Sequence, residues 1–111
     1  MPHETHAEQA GAPAEQDMHR ALVSLMEELE AVDLYQERAA ACSDRPLRDV
    51  FLHNKREELE HASMLLEWIR RHEPDFHGPL KKYLFTDAAL TALETQPGVA
   101  RAAPAAPSPQ P

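Results

Sequence analysis

The chain has 111 residues and a formal net charge of −8, from 19 acidic and 11 basic residues. This charge argues against nucleic acid and anionic membranes as main partners, because both bind basic surfaces. No apolar run approaches the roughly 20 residues of a membrane span. Cys42 is the single cysteine, which excludes a disulfide within the chain, and we expect a soluble protein of the reducing cytoplasm.

Prolines set the limits of the folded part. The chain has 10 of them, and half fall near its C-terminal end, namely Pro97, Pro104, Pro107, Pro109 and Pro111. We therefore assign residues 1–15 to a disordered N-terminal segment, 16–93 to a helical domain and 94–111 to an Ala/Pro-rich disordered tail. A core of about 75–80 residues is marginal by itself and usually needs metal or oligomerisation.

A first long helix is predicted from near Gln16 to Cys42. Apolar residues recur there at alternating spacings of four and three, which is a heptad-like row broken by Gln36. The members of the row are Met18, Leu22, Leu25, Leu29, Val32 and Ala39.

Glu28 is the ionisable residue in a neighbouring row that is otherwise apolar or aromatic. That row consists of Ala21, Leu25, Glu28, Val32 and Tyr35. A carboxylate there is costly to bury without a cation or hydrogen bonds, so Glu28 either binds a cation or reaches water at the edge of an interface. Glu27 and Glu30 form a second carboxylate pair, which is either a solvated acidic face or a weak cation site.

A turn over residues 43–45 leads to a second helix, predicted from about Pro46 to Arg71. Ser43 or Asp44 can cap this helix, and Pro46 suits its first position. The short connection predicts an antiparallel two-helix hairpin. One row of the second helix is polar in its middle and apolar at both ends: Leu47, Phe51, Asn54, Glu58, His61, Leu65 and Trp68.

The segment after the second helix is predicted to be short and helical. Pro74 ends the second helix, Gly78-Pro79 reads as a break, and an amphipathic helix follows from about Pro79. A further helical turn is expected through Leu93. The aromatic and leucine side chains of residues 76–85 need burial, which another subunit can provide. The fold class is therefore all-α.

Glu58 and His61 carry the chemistry of this chain. Their i, i+3 spacing places a carboxylate and an imidazole on one face of a helix, where both can bind one metal ion. Di-iron and di-manganese carboxylate bundles take such a Glu-x-x-His pair from each of two helices, and a single Glu from each of two others. With Glu28, this chain supplies half of that set.

Two copies related by a two-fold axis supply the missing half. The predicted dimer is then a ferritin-like four-helix bundle with the metals on its axis. Carboxylates with one imidazole per metal and no thiolate suit Fe(II) and Mn(II), with Zn(II) as a competitor.

Several stretches resemble the encapsulated ferritins, which are half-length ferritin relatives housed in encapsulin nanocompartments. The resemblance spans about residues 17–87. It rests on residues 18–22, 27–33, 53–54, 58–62, 66–71 and 83–86, which read MHRAL, EELEAVD, HN, ELEHA, LEWIRR and YLFT.

The resemblance implies a ferroxidase, which oxidises Fe(II) at a di-iron centre between subunits while the shell stores the mineral. Glu28, Glu58 and His61 of both subunits would be the catalytic ligands, and Ca, Zn or Mn would compete with Fe. It also implies that Glu27 and Glu30 form an outer site through which metal enters, and that Tyr35 lies beside the centre. Homodimers would build a ring-shaped decamer inside an encapsulin shell in the cytoplasm.

The chain departs from the family pattern in two places. Leu34 stands where the family usually carries Trp, and the residues after Pro97 lack the apolar character of a shell-targeting peptide. Two other functions are compatible with the residues themselves: a metal-binding protein without turnover, and a purely structural helical oligomer.

Overall fold

The computed structural model describes residues 12–95. This part of the chain forms four α-helices, which we number in chain order: α1 Pro13–Ala41, α2 Arg45–His72, α3 Pro74–Tyr83 and α4 Leu90–Glu94. Residues 12–95 contain no β-strand. The all-α prediction is therefore confirmed.

Helix α1 begins at Pro13, three residues before the predicted start. Proline fits the first helical position because its missing N–H has no partner there in any helix. The Glu15 side chain accepts a hydrogen bond from the Ala12 backbone N–H at 3.1 Å, which stabilises this end. Residues 13–15, which we had assigned to the disordered segment, are thus helical. The rest of that segment, and the predicted tail after Thr95, lie outside the described residues.

The turn between α1 and α2 is held by side chains that cap both helices. Asp44 Oδ2 accepts a hydrogen bond from the Leu47 backbone N–H at 3.0 Å, as expected of a capping residue. Arg48 Nη2 donates to the carbonyl of Cys42, at the end of α1, at 3.0 Å. These contacts confirm Asp44 as the cap and hold the two helices in a short antiparallel connection.

Contacts along the hairpin show which faces of α1 and α2 meet. The Tyr35 and Phe51 rings lie 6.3 Å apart between centroids, and Lys55 Nζ donates a hydrogen bond to Gln36 Oε1. Three alanines are buried, Ala21 and Ala39 in α1 and Ala62 in α2. Small buried side chains let two helices approach closely but contribute little apolar area, so the hairpin has a thin core.

The described chain divides into two compact units, with the boundary after Ile69. The second unit contains α3 and α4. Glu73 caps α3 by accepting a hydrogen bond from the Asp75 backbone N–H at 3.1 Å, and Lys82 Nζ donates to the carbonyl of Glu94 in α4 at 3.0 Å. Leu93 is buried in this unit. The helical turn predicted through Leu93 is present as α4.

The break predicted at Gly78-Pro79 is wrong, because α3 runs through both residues. A proline inside a helix removes one backbone hydrogen bond, here the bond to the carbonyl four residues earlier, at Asp75. Asp75 is exposed, so water can serve that carbonyl instead. The helix therefore tolerates Pro79 near its middle and starts at Pro74, one turn earlier than expected.

Part of the apolar surface of α1 faces outward. Leu22, Met26 and Leu29 are 43%, 66% and 52% exposed, and their spacing of four and three places them on one stripe. We call these three residues the apolar stripe of α1. Among residues 12–95, no helix has the length and hydropathy needed to cross a bilayer.

Ile69 provides a test of the thin core, since it is 1% exposed and is the largest fully buried side chain within residues 12–95. Ile69→Ala should lower the free energy of unfolding by about 2–5 kcal/mol, and Ile69→Val by about 0.5–1.5 kcal/mol. The measurement is chemical denaturation of the metal-free proteins at equal subunit concentration. Equal midpoints for wild type and Ile69→Ala would contradict the burial of this residue.

Candidate metal centre

The structure brings Glu28, Glu58 and His61 together in the middle of the hairpin. Glu28 comes from α1, and the other two residues lie one turn apart on α2. One ligand atom from each side chain lies within 4.8 Å of the others. His61 Nδ1 is 3.4 Å from Glu28 Oε1 and 3.3 Å from Glu58 Oε1. A single chain therefore places two carboxylates around one imidazole nitrogen.

The three side chains differ in their access to water. Glu28 and Glu58 are 25% and 23% exposed, whereas His61 is 46% exposed. The Oε1 atom of Glu28 is buried, and its contact with His61 Nδ1 at 3.4 Å is too long or poorly aligned to count as a full hydrogen bond. A buried carboxylate oxygen without a donor is costly. The cluster thus has an unsatisfied negative interior and an imidazole on its open side.

The pKa of Glu28 shows how the cluster responds when no cation is present. A side-chain hydrogen bond with Glu58 raises this pKa most, followed by burial and by the negative charge of Glu58, while His61 opposes the shift. Two carboxyl groups can share a hydrogen bond only if one of them carries a proton. Two adjacent carboxylates therefore favour a positive partner, which a proton or a cation can supply.

The pKa of His61 is raised, like that of Glu28. Loss of water around the ring would lower its pKa, but hydrogen bonds and charge from Glu58 and Glu28 outweigh that effect and raise the pKa of His61. Protonated imidazolium is a cation next to two carboxylates. The pKa of each group shows that this position favours positive charge.

A metal cation satisfies the same requirement, and the donor set fits iron. The cluster offers carboxylate oxygens and one imidazole nitrogen but no thiolate, a combination suited to Fe(II), Mn(II) and Zn(II). The orphaned Oε1 atom of Glu28 is a free ligand position facing the other two side chains. We conclude that the residues of the cluster can hold a cation in place of a proton.

The other predicted site residues lie near the cluster in sequence but outside it. Glu27 and Glu30 are exposed on α1, and neither belongs to the group of potential ligands found within residues 12–95. Tyr35 is half-buried two turns after Glu28. Its described ring contacts are with Phe51 and with the Arg38 guanidinium, 5.7 Å from the ring centroid. Their roles remain predictions.

Comparison with known protein families assigns the chain to one of them. A model of the EncFtn-like family matches residues 4–87, which is most of the chain. The chain belongs to the EncFtn-like family. The resemblance inferred from the sequence is therefore confirmed.

Individual relatives of this EncFtn-like chain agree with that assignment. An "Encapsulated ferritin-like protein" of Rhodospirillum rubrum is 51% identical over 76 residues, which are 68% of this chain and 54% of that protein. A "Ferritin-like protein" of Thermotoga maritima is 45% identical over 94 residues, 85% of this chain and 81% of that protein. This chain thus spans about half the length of the Rhodospirillum relative that it matches.

A solved structure supports the fold. The crystal structure of protein ne0167 from Nitrosomonas europaea superposes with a TM-score of 0.71 at 56% sequence identity, covering 73% of this chain and 89% of that one. The two long antiparallel helices with short helices after them are therefore a ferritin-like fold, as predicted.

One residue beside the cluster of this EncFtn-like protein was missed by the sequence analysis. Lys55 is half-buried and lies one turn before Glu58 on α2. Its ammonium donates a hydrogen bond to the side chain of Gln36 in α1. The i, i+3 spacing between Lys55 and Glu58 was visible in the sequence. The direction of the lysine side chain was not, because that depends on how the two helices meet.

Titration of His61 tests the electrostatics of the cluster. In the metal-free protein its pKa should lie above the usual value of about 6.5, and Glu58→Gln should lower it, because the hydrogen bond and charge of Glu58 hold the proton. A raised histidine pKa contributes stability that is fully present below the unfolded-state pKa and is lost as pH rises through the folded-state pKa.

The measurement is a pH titration of the His61 ring signals by NMR. Glu57→Gln is the matched control, since it removes a neighbouring exposed carboxylate that is outside the cluster and should leave the pKa of His61 unchanged. A wild-type pKa at or below the usual histidine value would contradict the proposed environment.

Proposed function

We propose that this chain is a ferroxidase, which oxidises Fe(II) to Fe(III) at a di-iron site built by two copies of the chain. The observation that carries this proposal is the cluster of Glu28, Glu58 and His61 in the middle of the hairpin, with ligand atoms within 4.8 Å of one another. Membership of the EncFtn-like family supports an iron-related, ferritin-like role.

The need for two copies follows from the number of ligand atoms. Two carboxylates and one imidazole can supply one metal ion, but a pair of irons with bridging carboxylates requires the same set twice. A second hairpin related by a two-fold axis provides it. The half-exposed His61 and the exposed apolar stripe of α1 both leave surface that a partner can cover. Burial of that stripe would also enlarge the thin core.

Oxidation in such a site has a simple electron balance. Two Fe(II) substrate ions lose one electron each, and one dioxygen molecule with two protons accepts both electrons and becomes hydrogen peroxide. Peroxide can serve as an alternative acceptor of two electrons. The residues favour oxidation because the two carboxylates stabilise the higher charge of Fe(III) more than that of Fe(II). Glu28 and Glu58 supply the negative charge, and the His61 of each copy supplies a neutral nitrogen ligand to one metal.

Glu27 and Glu30 are proposed to attract Fe(II) before it reaches the centre. They are exposed, one turn apart, and next to Glu28 on α1. An exposed pair of carboxylates raises the local concentration of cations and binds them weakly. This arrangement would deliver substrate without competing with the tighter centre. Tyr35 is proposed to lie beside the centre as a neighbouring aromatic.

The relatives suggest where the enzyme works. The Rhodospirillum protein is named as encapsulated and ferritin-like, which supports a place inside an encapsulin nanocompartment in the cytoplasm. We further propose that homodimers assemble into a larger ring, a decamer, that passes Fe(III) to the shell. Storage of the mineral is then a task of the shell, and Ca, Zn or Mn would act as competitors for the metal centre.

Fe(II) oxidation by matched variants tests the proposal. Wild type should oxidise Fe(II) in air faster than buffer, and Glu58→Ala should fall to the buffer rate because a carboxylate ligand of the proposed centre is lost. Glu57→Ala removes the adjacent exposed carboxylate and should keep the wild-type rate. Near-ultraviolet absorbance of Fe(III) follows the reaction at equal subunit concentration.

The same experiment separates the alternatives. Equal rates for wild type and Glu58→Ala would overturn the assignment of the catalytic site. Metal binding that depends on Glu58 without any oxidation would indicate a metal-binding protein without turnover. A purely structural oligomer would neither bind nor oxidise iron through Glu58, and its assembly would survive the substitution.

A further inference from the structure

Two polar residues outside the cluster, one from each helix of the hairpin, are in contact with each other. Gln36 interrupts the apolar row of α1. On α2, Lys55 lies next to Asn54 of the polar-centred row, four residues after Phe51 and three before Glu58. The Lys55 ammonium donates a hydrogen bond to the Gln36 side-chain carbonyl at 2.5 Å across the hairpin.

The direction of Lys55 is unexpected for a lysine in this position. A lysine three residues from a glutamate on a helix commonly pairs with it, and Lys55 is three residues from Glu58. Among the described residues, however, the ion pairs of Glu28 and Glu58 are with His61, and the hydrogen-bond partner of Lys55 is Gln36. The ammonium is thus directed to a neutral amide, one turn away from a carboxylate that needs a cation.

We propose that Gln36 holds the Lys55 ammonium away from Glu28 and Glu58, so that both carboxylates stay available to a metal ion. Lys55 is then a built-in competitor and Gln36 a positioning residue that restrains it. This inference rests on the proposed metal centre and adds a determinant of its affinity.

The physical argument concerns competition between two cations for the same carboxylates. The Lys55 side chain is half-buried, while its contact with Gln36 is exposed, and its four-carbon stem lets the ammonium turn toward any acceptor in reach. The Gln36 carbonyl accepts its hydrogen bond without adding charge. If Gln36 is removed, the Glu58 carboxylate, three residues further along α2, is an acceptor that the Lys55 side chain can reach. Glu58 lies in the cluster with Glu28, because both carboxylates contact His61. An ammonium there would offset the repulsion between the carboxylates and weaken metal binding.

A different role for the same contact is to fix the alignment of α1 with α2. Polar pairs at helix interfaces can do this, but the turn already fixes the alignment through the hydrogen bonds of Asp44 and Arg48. The two roles predict opposite effects of Lys55→Met. Removal of a competitor should leave metal binding intact or tighten it, whereas removal of an alignment contact should weaken it as much as loss of Gln36.

The test is a cycle of variants in the full-length protein, with Co(II) as a probe that binds without turnover in air. CoCl₂ is titrated into wild type, Gln36→Leu, Lys55→Met and the double variant, by calorimetry and by the visible absorption of bound Co(II). Gln36→Leu should raise the Co(II) Kd about two- to fivefold, the effect expected of a partly exposed ion pair. Lys55→Met should leave the Kd unchanged or lower it, and the double variant should match Lys55→Met.

Gln36→Glu is the conservative rescue, because a carboxylate at this position can also accept the hydrogen bond of the ammonium. This variant should bind Co(II) with the wild-type Kd. The inference is overturned if Gln36→Leu binds Co(II) as tightly as wild type, or if Lys55→Met and the double variant are as weak as Gln36→Leu.

The outcome is separable from that of the ferroxidase proposal. The predicted Co(II) pattern without Fe(II) oxidation would support the role of Gln36 and overturn ferroxidase activity. If Fe(II) oxidation depends on Glu58 but the Co(II) Kd is the same in all four proteins, the ferroxidase proposal is supported and the role of Gln36 is overturned.

Discussion

Two carboxylates and one imidazole occupy the gap between two antiparallel helices, and most other features of this protein depend on that arrangement. Carboxylates this close repel each other and require a positive partner. In the absence of metal, the pKa values of Glu28 and His61 are both raised, so the cluster favours the protonated form of each group more than water does. Proton and metal therefore compete for one position, and the centre should bind metal more tightly as pH rises through the pKa of His61.

The thin core of the hairpin and its incomplete set of metal ligands both support the proposed association with a second copy of the chain. Alanines fill much of the buried interface between α1 and α2, and the apolar stripe of α1 remains outside. A second copy would bury the stripe and complete the ligands for two metals at once. Stability, assembly and iron binding are then linked, since any metal held by both copies stabilises their association.

Periodicity and spacing were sufficient to predict the hairpin and the cluster. Glu28 was identifiable because it interrupts an apolar row, and Glu58 and His61 because their spacing puts them on one face. Local exceptions were not predictable: α1 starts at Pro13, and α3 continues through Pro79 because an exposed carbonyl tolerates the missing donor. The contact between Lys55 and Gln36 depends on the packed geometry of two helices, which the sequence pattern of either helix alone does not contain.

Iron-edge anomalous diffraction from crystals of the Fe(II)-loaded protein tests the central claim most directly, because it locates iron and its ligands together. The account predicts two neighbouring iron sites related by a two-fold axis, each bound by Glu28, Glu58 and His61 side chains drawn from two chains. Iron held by the three residues of one chain alone, or found at Glu27 and Glu30 while the central cluster is metal-free, would contradict it.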